Sequence, residues 1–284
     1  MNRQRHFCAI VIGDLGKVGA LSLSSISNLN DVDFCYMADS SGFNWVNSMV
    51  RDHDLKLKLC HHPIPKKLNW LLEDFDSNSK YSNFGHAKFF RLMHLKWQIV
   101  FEALKENKSK NGVIFSDLDI YWRSFPESAF SSIISMEKDF GIQKDWNKER
   151  NIFYCPGIMI WSNTPTSIST LIEIQTFHRE LMRINENLPD DKALNKWLLL
   201  GANINRILPL SEIEFVIGHR LPQLLLKLDG FSVQRMIAFH ANYANGLTEK
   251  YSNLLTISQA VSKDFRWIFG FSKFISRKLK NKLS

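Results

Sequence analysis

Val113-Ile114-Phe115 is an apolar run that opens on Gly112 and leads straight into Ser116-Asp117-Leu118-Asp119-Ile120-Tyr121-Trp122. An unbroken apolar run bounded by glycine reads as a strand buried in a parallel sheet, which commits the chain to an α/β architecture. In open α/β sheets ligands sit just outside the carboxyl ends of the strands, and Asp117 and Asp119 stand at such an end. On an extended chain residues i and i+2 share a side. Two carboxylates held that close repel unless a cation lies between them. Hard oxygen ligands suit Mg²⁺ or Mn²⁺, often shared with substrate phosphates. An Asp-x-Asp taken alone is more often a pair of solvated turn residues.

Further apolar runs read as strands at His6–Ile12, Asp33–Asp39, Leu55–Cys60, Phe140–Gln143, Ile152–Trp161, Glu214–Ile217 and Met236–Phe239. The loop Gly13 to Gly19 holds three glycines without Walker or Gly-x-Gly-x-x-Gly spacing. It is open between a nucleotide-facing βα loop and a flexible turn. Asp39-Ser40-Ser41-Gly42 reads as a closing turn, and His61-His62-Pro63, a His pair that can bind metal, reads rather as a surface turn before proline. Helical spacing predicts helices at Leu21–Asn30, from Gly85 to Lys108, and onward from Asp190. Pro65 to Ser82 reads as irregular or weakly helical. Thr164 is a fitting N-cap with Pro165 at the first helical position, for a helix running to about Asn187. Lys96, on the long helix, reads from its position as part of a solvated face. Pro156-Gly157 inside an apolar strand marks a bulge or a close backbone approach. His240 follows a short strand, with Gly246 and Lys250 behind it. Such a set can complete a metal shell and touch a phosphate, although a lone histidine is more often part of a core or a surface.

The 284 residues are 45% hydrophobic and 23% charged, ordinary for a globular chain with a substantial core. Charge is uneven. Lys263 to Ser284 carries seven Lys/Arg against Asp264, which is +6 of the net +8. The body, residues 1–260, is nearly neutral. It shows no basic groove with interleaved aromatics, so nucleic acid is not an expected partner. In the segment 261–284, Ile268, Phe271, Ile275, Leu279 and Leu283 keep helical spacing beside Trp267 and Phe274, with Lys273, Arg277, Lys280 and Lys282 around them. A basic amphipathic helix with Trp and Phe is expected to lie on an anionic membrane surface, the alternative being a helix packed on the body. Cys8, Cys35, Cys60 and Cys155 lack any Cys-x-x-Cys, so they read as buried reduced thiols of a cytosolic protein, not as a zinc or redox pattern. No signal-peptide h-region and no spanning apolar stretch is legible.

Five patches then stand in order: the helix with Lys96; Phe115-Ser116-Asp117-Leu118-Asp119-Ile120-Tyr121-Trp122; Cys155-Pro156-Gly157-Ile158-Met159-Ile160; Asp190-Asp191-Lys192-Ala193-Leu194-Asn195; and His240-Ala241-Asn242-Tyr243 with Gly246 and Lys250. Over about residues 80 to 255 this resembles the nucleotide-diphospho-sugar transferase family, glycosyltransferases with an Asp-x-Asp signature. The resemblance implies a GT-A-type, Rossmann-like mixed sheet flanked by helices. It implies Mn²⁺ or Mg²⁺ held by Asp117, Asp119 and His240 on a nucleotide-diphospho-sugar donor. Asp117 would also lie near the ribose, and Gly246 and Lys250 near a phosphate. Asp190 and Asp191 would lie near the transferred sugar, and Lys96 near sugar or diphosphate. It implies retention at the anomeric carbon, and the basic tail suits a glycan or lipid-linked acceptor at a membrane. That suits cell-surface polysaccharide or lipopolysaccharide synthesis at the inner face of the cell membrane. Two departures bear on the donor sugar. Lys192 stands where the family usually has Gln, and Cys155-Pro156 stand before Gly157 where it usually has Asn.

Two other classes compete. A haloacid-dehalogenase-type phosphohydrolase also uses Asp-x-Asp after an apolar strand, but its motif normally sits near the N-terminus. A non-catalytic membrane adaptor with a transferase fold would be favoured by Lys192 and Cys155.

Overall fold

The computed structural model describes residues 5–72, 87–107, 112–146, 152–186, 188–242, 244 and 246–262. In chain order these form β1 (Arg5–Val11), α1 (Gly16–Ser27), β2 (Val32–Ala38), α2 (Ser40–Asp52), β3 (Leu57–Pro63), α3 (Ala87–Leu92), α4 (Leu95–Glu106), β4 (Val113–Ser116), β5 (Ile120–Trp122) and α5 (Glu127–Ser135). There follow β6 (Phe140–Trp146), β7 (Ile152–Trp161), α6 (Pro165–Ile184), α7 (Asp190–Leu199), β8 (Ile207–Leu210), β9 (Phe215–Ile217), α8 (Leu221–Leu226), β10 (Ala238–His240) and α9 (Leu247–Val261). The expected tail helix, Tyr243 and Asn245 lie outside the described residues.

Seven strands form one mixed sheet in the order β3-β2-β1-β4-β7-β6-β8, and three form a smaller one, β5-β10-β9. The strands β3, β2, β1 and β4 run parallel, while β7 is antiparallel to both β4 and β6. Their alternation feeds two cores. Cys8, Phe115, Phe140 and Trp161 pack under α4, α6 and α7 with Trp97, Leu104, Leu171 and Trp197. Phe7, Ala9, Phe34, Ile114 and Ile160 pack on the other face with Leu23, Ile26, Val46, Phe130 and Ile133 from α1, α2 and α5. A third cluster, Val216, Phe239, Leu224, Leu254 and Ile257, seats α8 and α9 against the small sheet. Among the described residues, no helix is long and apolar enough to cross a membrane.

Several local expectations are corrected. Ser40-Ser41-Gly42 is the first turn of α2, not a closing turn. Asp39 caps that helix: its Oδ1 accepts from Gly42 N at 2.7 Å and from Gly13 N at 2.9 Å. α1 begins at Gly16, inside the expected loop, so only Ile12 to Leu15 link β1 to it. The long helix is two, parted at Met93-His94. His61-His62-Pro63 continues β3 instead of turning, because its backbone pairs with Tyr36-Met37-Ala38. α5, α8 and α9 lie where no helix is expected.

Candidate active site

Four chain segments deliver the site, and backbone pairing sets each of them. β4 ends at Ser116, whose partner on β7 is Ile158. Asp117 N then donates to Gly157 O at 2.8 Å, so Asp117 leaves the sheet against the Pro156-Gly157 interruption. Leu118 and Asp119 form a turn instead of the extended backbone expected of them. β5 follows at once and pairs with β10 so that Ile120 faces His240, and Ala241 N donates to Asp119 O at 2.9 Å. That register brings His240 to Asp119 across a separation of more than a hundred residues. Both signals expected at Pro156-Gly157 are present. The β6–β7 register shifts between Ile142 and Gln143, and a Cβ on Gly157 would lie 2.3 Å from His240 Cε1 and 3.1 Å from Asp117 Oδ2.

One ligand atom from each of Asp117, Asp119 and His240 lies within 4.8 Å of the others. His240 Nε2 is 3.3 Å from Asp119 Oδ1. Its other nitrogen, Nδ1, is 2.8 Å from Gln143 Oε1. The Gln143 amide nitrogen donates to Phe215 O at 3.3 Å, which aims its oxygen at the imidazole. His240 therefore holds a proton on Nδ1 and turns Nε2 toward the carboxylates, the orientation a metal-ligating histidine needs. Asp119 Oδ1 is buried and receives no well-aligned hydrogen bond. A lone pair on Nε2 facing an unmet carboxylate oxygen is unfavourable unless a cation or a proton lies between them. The donor set thus fits a divalent cation, with two hard carboxylates and one borderline imidazole. Burial opposes an imidazolium here, yet Asp119 and Cys155 overcome it and push the His240 pKa up to about 10.

Two lysines frame this centre. Lys96, expected on a solvated face, is buried, with 4% of its side chain exposed; Nζ lies 3.0 Å from Asp117 Oδ2 and 2.9 Å from Asp190 Oδ2. It also sits 5.4 Å from the centre of the Phe115 ring. Burial works against its charge, but Asp117 and Asp190 hold its pKa well above the ordinary lysine value. Lys250 rises from the first turn of α9, whose N-cap is Gly246 at φ +86°, and bonds Asp119 Oδ2. Burial raises the Asp119 pKa, but Lys250 and His240 prevail and hold it well below the usual carboxylate range.

Asp190 and Asp191 open α7 behind Pro189, where the helix dipole favours acids. α7 is clamped to β7 by Asn195, which donates to Tyr154 O at 2.8 Å and accepts from Tyr154 N at 3.0 Å. Asp190 thereby reaches Lys96, while Asp191 stands apart with its Oδ1 accepting from Lys192 N at 2.6 Å. Burial, then the neighbouring Asp190, pushes the Asp191 carboxyl up to about 6. Gln143 and Asn195 carry no sequence signal for these roles. Each becomes visible only once β6, β7 and α7 are placed together.

The site lies on the edge formed by the carboxyl ends of the parallel strands, with the Gly13 to Leu15 loop on that edge too. The sequence profile of the nucleotide-diphospho-sugar transferases matches residues 50–254. Among solved structures, mouse xyloside xylosyltransferase 1 in its apo form is similar at a TM-score of 0.56 and 12% identity, over 84% of this chain and 98% of that one. That likeness shows a GT-A-type fold. PaToxG glycosyltransferase scores 0.39 at 14% identity, covering 91% of this chain and 86% of that one. The inositol-1-phosphate CTP transferase from T. maritima scores 0.41 at 11% identity, covering 90% and 97%. No curated protein sequence matches this chain.

Proposed function

This chain belongs to the nucleotide-diphospho-sugar transferase family, and on that premise we propose that it moves a sugar from a nucleotide-diphospho-sugar to a glycan or lipid-linked acceptor. The observation that carries the proposal is the convergence of Asp117, Asp119 and His240 between the buried Lys96 and the half-buried Lys250. Such a centre suits a donor whose charge sits in a diphosphate. Mn²⁺ or Mg²⁺ held by these three side chains would supply Lewis-acid stabilisation of the departing diphosphate. Lys250, at the N-terminal end of α9, adds electrostatic stabilisation to the same leaving group, and the α9 amides behind Gly246 favour it further. Lys96 fixes Asp117 and Asp190 relative to each other. The sugar in flight is oxocarbenium-like, and the carboxylates of Asp190 and Asp191 would steady positive charge there. The loop from Gly13 to Leu15 is the expected neighbour of the nucleoside. Retention at the anomeric carbon is part of this reading.

The second half of the proposal concerns place. The segment 261–284 is read as a basic amphipathic helix that docks on anionic lipid, each basic residue contributing on the order of 1 kcal/mol. It would keep the enzyme peripheral, on the inner face of the cell membrane, beside a lipid-linked acceptor of polysaccharide or lipopolysaccharide synthesis.

A thermal-shift screen of sugar nucleotides with and without Mn²⁺ tests the first half, since a ligand that binds only the native state raises its stability. Stabilisation by one donor only with metal, lost in Asp119→Asn, is expected. Turnover of simple phosphate esters with no sugar nucleotide would instead favour a phosphohydrolase. For the second half, deleting Lys263 to Ser284 is expected to abolish binding to anionic vesicles while donor hydrolysis persists.

A further inference from the structure

Away from the transferase site, the structure gathers four side chains that no single stretch of sequence brings together. Cys35 and Cys60 are direct partners on the adjacent parallel strands β2 and β3. His62 lies two residues beyond Cys60, on the same face of β3. Glu106 comes from the last turn of α4, which packs across that face. One ligand atom from each of the four falls within 4.8 Å of the others. Cys60 Sγ donates to Glu106 Oε2 at 2.7 Å and lies 3.5 Å from His62 Nε2. His62 Nε2 is 3.5 Å from Glu106 Oε2.

We propose that Cys35, Cys60, His62 and Glu106 form a second metal site, a tetrahedral Zn²⁺ centre that ties the edge strand β3 and its neighbour β2 to the end of α4. Two sulfurs, an imidazole nitrogen and a carboxylate oxygen form a soft-to-borderline set that favours zinc over the hard cations suited to the Asp117 centre. Zinc bonds of about 2.0–2.3 Å at tetrahedral angles place ligand atoms about 3.3–3.8 Å apart. Both contacts of His62 already fall in that range. The shorter Cys60–Glu106 contact is a thiol hydrogen bond, which opens when the thiol proton is replaced. On loading, the thiol protons pass to solvent and the thiolates take the metal.

The geometry also separates this site from the first. Lys96 and Glu106 stand at opposite ends of α4, about 15 Å apart at 1.5 Å per residue. The purpose served is structural. β3 is the edge of the sheet, with only half-buried or exposed residues along it, and a cross-link there stiffens the platform on which α4 carries Lys96. The absence of a Cys-x-x-Cys hid the set, because its ligands come from β2, β3 and α4.

The test is Co²⁺ titration of the full-length, reduced, chelator-stripped protein, read by thiolate-to-cobalt charge-transfer absorption in the near ultraviolet. One equivalent giving that absorption, and displaced by Zn²⁺, is expected. The band should persist in Asp119→Asn, vanish in Cys60→Ser, and require at least tenfold more Co²⁺ in Glu106→Gln. Cys60→Ser is nearly isosteric, and its melting temperature in chelator reports whether it folds. If it does not, Glu106→Gln, at the exposed helix end, carries the test by its affinity. No thiolate band in the wild-type protein overturns the proposal. So does a band that survives Cys60→Ser and disappears in Cys155→Ser, which would put the sulfur ligand beside His240. A reduced protein that takes no Co²⁺ but closes a Cys35–Cys60 disulfide in air overturns it too.

Discussion

Gln143 Oε1 accepts from His240 Nδ1 at 2.8 Å, and that one bond decides which ring nitrogen faces Asp119. Gln143 contributes no ligand of its own, yet it sets the tautomer and orientation of one. Outer partners of this kind are typically worth about 10–100-fold in metal affinity. Gln143→Ala is therefore expected to weaken Mn²⁺ binding by about that factor, measured by calorimetry, with donor affinity falling only when metal is required. Unchanged Mn²⁺ affinity would show that packing around His240 alone holds the ring.

Lys96 lies between two carboxylates in a nearly closed space. Removing one partner of a buried ion pair leaves an uncompensated charge and typically costs about 3–5 kcal/mol. Lys96→Met is expected to lose stability on that scale, since Asp117 and Asp190 then repel each other. Lys96→Met with Asp190→Asn should recover part of the loss, an interaction a double-mutant cycle of chemical denaturation measures directly. Additive effects would mean that Lys96 acts on Asp117 alone.

Gly157→Ala tests the close approach at the β7 interruption. The new Cβ meets the His240 ring and the Asp117 carboxylate, neither of which is a loose side-chain end. Overpacking of this kind costs about 1–3 kcal/mol. Here the displaced groups are the candidate ligands, so Mn²⁺ affinity should drop at least tenfold while circular dichroism stays native. Wild-type metal binding in a folded Gly157→Ala would place the cation away from His240.

Much of this is legible in the sequence, and the exceptions share a cause. Ile152–Trp161 is a strand with the bounds its apolar pattern gives, and Thr164 caps α6 by accepting from Ser167 N at 3.1 Å, as its residue type suggests. These signals are local. α2 was hidden because Ser40-Ser41-Gly42 is good turn chemistry, and only Asp39 bonding to Gly42 N selects the helix. α9 owes its place to Leu254 and Ile257 meeting Phe239 and Val216, contacts that periodicity alone does not reveal. The site divides the same way. The carboxylates of Asp117 and Asp119 announce themselves, as does His240 after its strand. Lys96 is singled out by the family resemblance alone, because helical spacing cannot say which lysine is buried. Its partners come from β4 and α7, and only the assembled sheet supplies them.

Asp191 gives the pH dependence. Its folded pKa is about 6, raised from 3.8 by burial and then by Asp190. A carboxyl raised on folding binds its proton more tightly in the native state than in the unfolded one. Native stability therefore falls as pH rises from about 4 to about 6, and above that the ionised group is a standing cost. Asp191→Asn removes that cost. It is expected to raise stability at pH 7.5 by on the order of 1 kcal/mol, with little difference from the wild type at pH 4. Activity should run the other way. If the Asp191 carboxylate steadies positive charge on the transferred sugar, wild-type kcat falls as pH drops through about 6, and Asp191→Asn loses both most of its rate and that limb of the profile. Thermal melts and kcat across pH 5 to 8 measure the two together. A variant that is more stable, equally active and unchanged in pH profile would remove Asp191 from the chemistry and leave Asp190 as the only carboxylate of the pair at the sugar.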